Sequence, residues 1–273
     1  MAVLGEDFTG GWLRRLYAPV NPAGLWRAVL AAAALVILHQ LLLGVLSAAA
    51  VLALFEGSFG THELVKASLV VIFPAALLIA LAAWMLARLK GGSPGAVLNL
   101  HLPKLTALGW IALVASFMVV MYVAIAFLVL SLGIDLAQYT PGPDGQSPVT
   151  GSAGRVKEAM FDIANEPWLF LLVFPSIALG APIAEELIFR GQLFSALSLT
   201  RLGVSGTAVV TSALWALLHW SEPWLAIGLI FVMGLAFGWM MYRFGSLWVT
   251  IACHAAWNST YAIAIFATIG EAS

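Results

Sequence analysis

The sequence predicts an all-α, polytopic helical membrane protein of about seven to eight transmembrane helices, and three observations carry that expectation. The 273 residues are 62% hydrophobic and only 9% charged, against about 25% charged in soluble domains. Mean hydropathy is +1.01. Runs of roughly 20 apolar residues recur along the chain, the length that crosses about 30 Å of hydrocarbon as a helix. An aqueous fold has no means of hiding that much apolar surface.

In chain order, helices are expected near Trp26–Phe55, Ala67–Leu89, Leu105–Leu132, Trp168–Leu199, Ser205–His219, Trp224–Tyr242 and Leu247–Ile269. Seven spans is the direct count, and eight is the alternative. The first and fourth exceed the minimum length, and Pro175 and Pro182 interrupt the fourth hydrogen-bond ladder, which predicts a tilt, kink or split there. Between the third and fourth lies the longest loop, 133–167. Its stretch Tyr139-Thr-Pro-Gly-Pro-Asp-Gly-Gln-Ser-Pro148 cannot sustain a helix. Residues 154–166 are expected to form a short interfacial helix, because Val156, Met160, Phe161 and Ile163 alternate with charged positions. In the sixth helix Gly234 and Gly238 have a small-xxx-small spacing that would let the fifth and seventh helices close in.

Lys and Arg collect on the cytoplasmic side of membrane proteins. With the N-terminus inside, Arg14, Arg15, Arg27, Arg88, Lys90, Lys104, Arg190, Arg201 and Arg243 fall inward, leaving Lys66, Arg155 and Lys157 outside. The expected topology is therefore N-terminus cytoplasmic and C-terminus out. Trp12, Trp26, Trp110, Trp168, Trp220, Trp224 and Trp248 lie near span ends, as aromatic belts do. The N-terminus carries Glu6 and Asp7 ahead of about two dozen mixed residues, the wrong order for a cleavable signal peptide. Net charge of −1 with no basic run gives no sign of a nucleic-acid partner. The single cysteine, Cys253, has no partner for an internal disulfide and reads as a packed apolar residue.

Glu185, Glu186, Arg190, His219 and His254 sit inside the most apolar half of the chain, with Asn258 one turn beyond the last. An ionisable group in a membrane segment costs at least about 2.5–3.5 kcal/mol and usually marks a working site. Glu186 and Arg190, four apart on one helix face, are expected to pair, while Glu185 projects about 100° away and stays free as a general base. At about 1.5 Å per residue, Glu185, His219 and Asn258 come out about 18–21 Å deep and His254 about 12 Å. A water between Glu185 and His219 would then attack a carbonyl whose oxyanion is received by His254 and Asn258. The first half holds no such constellation. It is read as scaffold (1–132), followed by an extracytoplasmic loop (133–167) and a catalytic core (168–273). His39, His62 and His101 have no partner motif, and the last two fall in expected loops.

Glu185-Glu-x-x-x-Arg190, then Trp215-x-x-x-His219, a Gly-rich helix and His254-x-x-x-Asn258, in this order, resemble the CPBP family of CAAX prenyl endopeptidases and bacterial Abi or bacteriocin-immunity proteins. The resemblance covers roughly residues 183–258. It implies a glutamate-type intramembrane protease in which Glu185 and His219 activate water and His254 and Asn258 stabilise the oxyanion, with Glu186 and Arg190 in support. Because Glu185 needs only His219 to polarise a water, no cofactor and no metal are expected. The composition sets the protein in a bilayer, the short loops and compact N-terminus suggest a bacterial inner membrane, and the expected substrate is a membrane-associated protein or peptide. Trp215 stands where the family often has Phe, a difference expected to affect packing more than chemistry.

Three other readings use the same residues. Two His and a Glu can ligate zinc, although no His-Glu-x-x-His is present. A noncatalytic immunity or regulatory protein would bind a peptide in the same cavity. A proton-relay transporter would call for repeated halves with matched broken helices, and none is seen.

Overall fold

In the computed structural model the described residues, 16–22, 24–89, 91–135 and 151–270, are mostly helical, with no strand among them. The stretch Tyr139–Pro148, the N-terminal positions Glu6, Asp7, Trp12, Arg14 and Arg15, and Lys90 lie outside them. The helices are α1 Leu25–Leu54, α2 Thr61–Leu89, the single turn α3 Pro94–Val97, α4 Ala107–Leu132, α5 Gly151–Ala164, α6 Pro167–Leu197, α7 Gly203–Leu218, α8 Trp224–Phe244 and α9 Leu247–Gly270.

Five of these, α1, α2, α4, α6 and α8, are long and apolar enough to cross a membrane. Among the described residues this length-and-composition count does not confirm the seven to eight spans expected. The 16 residues of α7 rise only about 24 Å, short of the roughly 30 Å hydrocarbon thickness. The last helix, α9, also stands outside the set; it carries His254, Asn258, Ser259 and Thr260.

Two expectations at the N-terminal end of α2 change together. The helix begins at Thr61, not Ala67, so His62 is helical rather than in a loop. The extra turn is held by polar contacts: His62 Nε2 lies 2.6 Å from Asp162 Oδ2 on α5, and Lys66 Nζ lies 3.3 Å from Glu166. The short helix expected over 154–166 is present as α5, and one of its faces packs on protein. Ala159, Met160 and Ile163 fall on one face and are buried with Leu69 of α2 and Leu169 and Val173 of α6. Burying that apolar face against protein removes it from water, which favours the contact.

Prolines shape the centre. α6 does not split at Pro175 and Pro182; it continues through two π-helical stretches, Ser176–Gly180 and Leu187–Leu193. In the first, the Ala181 N–H reaches back five residues to the Ser176 carbonyl. In that register the next donor, for Ile177, would be Pro182, which has no N–H. The Asn258 side chain takes its place, Nδ2 donating to the Ile177 carbonyl at 3.1 Å. Pro74 creates the same vacancy inside α2, at Val70. Ser176 Oγ fills it, donating to the Val70 carbonyl at 2.7 Å and accepting from the Phe73 N–H at 3.2 Å.

This stitch requires Gly180, because a Cβ there would stand 2.8 Å from Phe73 Cα and 2.9 Å from its nitrogen. The obstacle is backbone and cannot rotate away. Gly180→Ala is therefore expected to cost about 1–3 kcal/mol by overpacking, read as a lower midpoint of thermal unfolding in detergent. An unchanged midpoint would show that α2 and α6 separate freely at this point.

Gly234 and Gly238 work on one neighbour rather than two. A Cβ at Gly234 would meet Ser212 at 2.7 Å and one at Gly238 would meet Ala208 at 2.5 Å, both on α7. At the opposite end of α9, Leu247 N donates to the Asn99 carbonyl (2.9 Å) and Ser246 Oγ to that of His101 (2.6 Å). These bonds anchor the first turn, about two turns before His254.

Candidate active site

Glu186 closes the α-helical stretch of α6 and Arg190 sits in the π-helical stretch that follows. Both side chains are fully buried, and Arg190 Nη1 donates to Glu186 Oε1 at 3.1 Å. A second donor, Nη2, reaches the Gly234 carbonyl on α8 at 3.4 Å. The guanidinium also lies over the rings of Trp215 and Phe237, at 4.6 and 5.2 Å from their centroids. A planar cation suits such a slot where an ammonium would not. Because Arg190 is enclosed in the core, it does not belong with the inward-facing cations that set the charge asymmetry.

The same Glu186 oxygen faces His254 Nδ1 at 3.2 Å. A carboxylate oxygen accepts, so Nδ1 carries the proton, and Nε2 is directed toward Glu185 Oε2 at 3.9 Å. Glu186 therefore orients an imidazole as well as neutralising Arg190. Glu185, in turn, is not without a partner: Trp215 Nε1 donates to its Oε2 at 2.6 Å. The imidazole recorded against Glu185 is that of His254 rather than His219.

His219 owes its orientation to the end of α7. The last turn tightens, and the His219 N–H bonds Ala216 at 3.0 Å instead of Trp215. The freed Trp215 carbonyl is taken by His219 Nδ1 at 2.9 Å. A carbonyl only accepts, so Nδ1 donates and Nε2 is left for other work. Asn258 has one amide hydrogen engaged by Ile177, which leaves its second N–H and its oxygen.

Glu185, Trp215, His219, His254 and Asn258 all line one cavity of about 470 Å³. Its remaining walls are mostly apolar and include Leu69 and Ile72 of α2 and Met121 and Ile125 of α4, so helices of the first half also shape it. This is the usual make-up of a ligand site, apolar walls around a few convergent polar groups. Lys157 of α5 and Glu222, between α7 and α8, line it too. Burial lowers the pKa of Lys157, and attraction to Glu222 partly opposes that. Neither residue stands out in the sequence, because Lys157 is one of several charges in α5 and Glu222 lies in a short connection, both outside the spans.

Trp215 makes a contact beyond packing. Its ring packs as expected, but the indole N–H is a polar contact that a Phe cannot make. The signal was the residue identity itself, and only the approach of α7 to α6 gives it an acceptor. Among the described residues no group of three His, Cys, Asp or Glu side chains is arranged to hold a metal ion.

Residues 167–260 match the family model described as "Type II CAAX prenyl endopeptidase Rce1-like". The match spans about a third of the chain and contains every residue of the polar cluster. No curated protein and no solved structure matches. The resemblance to the CPBP family is thereby supported over this segment, and with it peptide hydrolysis as the activity at the level of the family.

Proposed function

From a segment that matches CAAX endopeptidases, in a chain of membrane-length helices, we propose an intramembrane endopeptidase that cleaves a membrane-associated protein or peptide with water activated by Glu185. One observation carries the reading: an exposed edge of a carboxylate, an imidazole nitrogen 3.9 Å from it, a second imidazole and an amide all line the same largely apolar cavity. Glu185, the only one of the two acids with appreciable side-chain exposure (24%, against 0% for Glu186), takes the proton of the attacking water. His219 Nε2 orients that water. His254 Nε2 and the remaining Asn258 N–H receive the oxyanion, which requires His254 to carry a second proton, since Nδ1 already donates to Glu186.

The apolar walls would bind the substrate's anchor, and the buried Glu186–Arg190 pair keeps the polar end in register without reaching the scissile bond. The excess of Lys and Arg supports a reading with the N-terminus on the cytoplasmic side of the membrane, the inner membrane in a bacterium.

The zinc reading uses Glu185, His219 and His254 as ligands. It is less well supported, because His254 and Glu185 are already committed to Glu186 and Trp215. Both mechanisms meet one experiment. The purified chain in liposomes is offered a panel of quenched fluorogenic peptides, anchored by an S-farnesyl cysteine or by an apolar helix, with and without a zinc chelator. Cleavage that survives the chelator, in protein without stoichiometric zinc, is expected. Loss of activity to the chelator and recovery with added zinc would replace the glutamate mechanism by the metal one. No cleavage of any anchored peptide would leave the cavity as a peptide-binding site in a noncatalytic protein.

A further inference from the structure

We propose that Trp215 is the positioning residue of this site, holding Glu185 through its indole N–H and both imidazoles through its ring and carbonyl. The proposal rests on the reading of Glu185 as the base. Five contacts with the polar residues of the site meet on this one side chain and its backbone. The indole N–H donates to Glu185 at 2.6 Å. The ring face carries the Arg190 guanidinium at 4.6 Å. The ring stands edge to face with His254 at 5.2 Å and with His219 at 5.7 Å. The carbonyl accepts from His219 Nδ1 at 2.9 Å.

Trp215 is 1% exposed, so ordinary core packing accounts for its ring. Packing does not account for the N–H. A buried indole donor needs an acceptor, and here the acceptor is the oxygen of Glu185 that also faces His254. One of that oxygen's lone pairs is occupied, which fixes the carboxylate rotamer and directs its remaining lone pairs toward the cavity. Among these contacts the N–H is the one that Phe would lose while keeping the aromatic face, the edge-to-face geometry and the carbonyl. Trp215→Phe is thus a selective probe.

The test has a kinetic and a spectroscopic arm. In liposomes, with whichever anchored fluorogenic peptide the wild type cleaves, Trp215→Phe is expected to lower kcat by about tenfold to a hundredfold, the span of one hydrogen bond to a charged group, with KM unchanged. In ¹⁵N–¹H spectra of the full chain in detergent, the Trp215 indole resonance is identified as the one missing from Trp215→Phe. It is expected to move when Glu185 becomes Gln, because a neutral amide oxygen is a weaker acceptor.

A wild-type kcat in Trp215→Phe while Glu185→Gln is inactive would overturn the proposal and leave the base assignment intact. An unmoved indole resonance in Glu185→Gln would also overturn it, and this arm remains decisive if Trp215→Phe fails to fold, with the resonance then assigned by selective labelling. Full activity of Glu185→Gln would instead remove the base reading and, with it, the catalytic purpose of the contact.

Discussion

Glu185→Gln is expected to lower turnover by about 10²–10⁴-fold, the contribution of one positioned general base, in a protein that stays folded. Gln matches Glu in shape and keeps a side-chain oxygen for the Trp215 N–H, so the contact that holds the residue survives the change. What disappears is the ability to take a proton from water. The neighbouring pair does not depend on it, since Arg190 bonds Glu186 and not Glu185. Turnover of the anchored peptide, measured beside thermal unfolding in the same detergent, separates the two effects. Retained turnover would assign the base elsewhere. Equal loss of turnover and of folded protein would make Glu185 a structural residue.

Arg190→Ala carries the largest expected loss of stability. Removing one partner of a buried ion pair typically costs about 3–5 kcal/mol, because the other charge is left without compensation in a medium that cannot solvate it. Here the stranded group is Glu186, fully buried on α6. His254 still touches the same oxygen, so the carboxylate keeps one hydrogen-bond donor but loses its permanent cation. The substitution also empties the slot between Trp215 and Phe237 and removes the tie to the Gly234 carbonyl. A lower folded yield and a lower unfolding midpoint should therefore accompany the loss of activity. A fully stable Arg190→Ala protein with selective loss of cleavage would place Arg190 in the chemical step instead.

Local spacing explains how much of this was legible beforehand. Glu186 and Arg190 are one turn apart on a single helix, so their pairing follows from helix geometry alone. The helical membrane character follows from composition, because long uncharged runs have few alternatives in or out of a bilayer. Boundaries were less secure where charges cross between elements. The first turn of α2 reads as loop until Asp162 and Glu166, some 100 residues later, are seen to hold it. The length of α7 likewise fell short of a span although its residues are apolar.

The polar residues themselves, their order and the helices that carry them were determined by the sequence. Only the tertiary structure decided who meets whom among them. Helical periodicity places residues on faces but says nothing of which faces oppose each other. His254 therefore reaches Glu186 as well as Glu185, and Glu185 receives the Trp215 N–H, through the approach of α9 and α7 to α6. Asn258 shows the limit most clearly. Its amide satisfies a carbonyl left open by Pro182 on a different helix, a vacancy that exists only because α6 shifts into a π register. The close approach of α6 to α2 at Gly180, where a Cβ would meet the Phe73 backbone, likewise joins positions far apart in the chain, which no local spacing reveals.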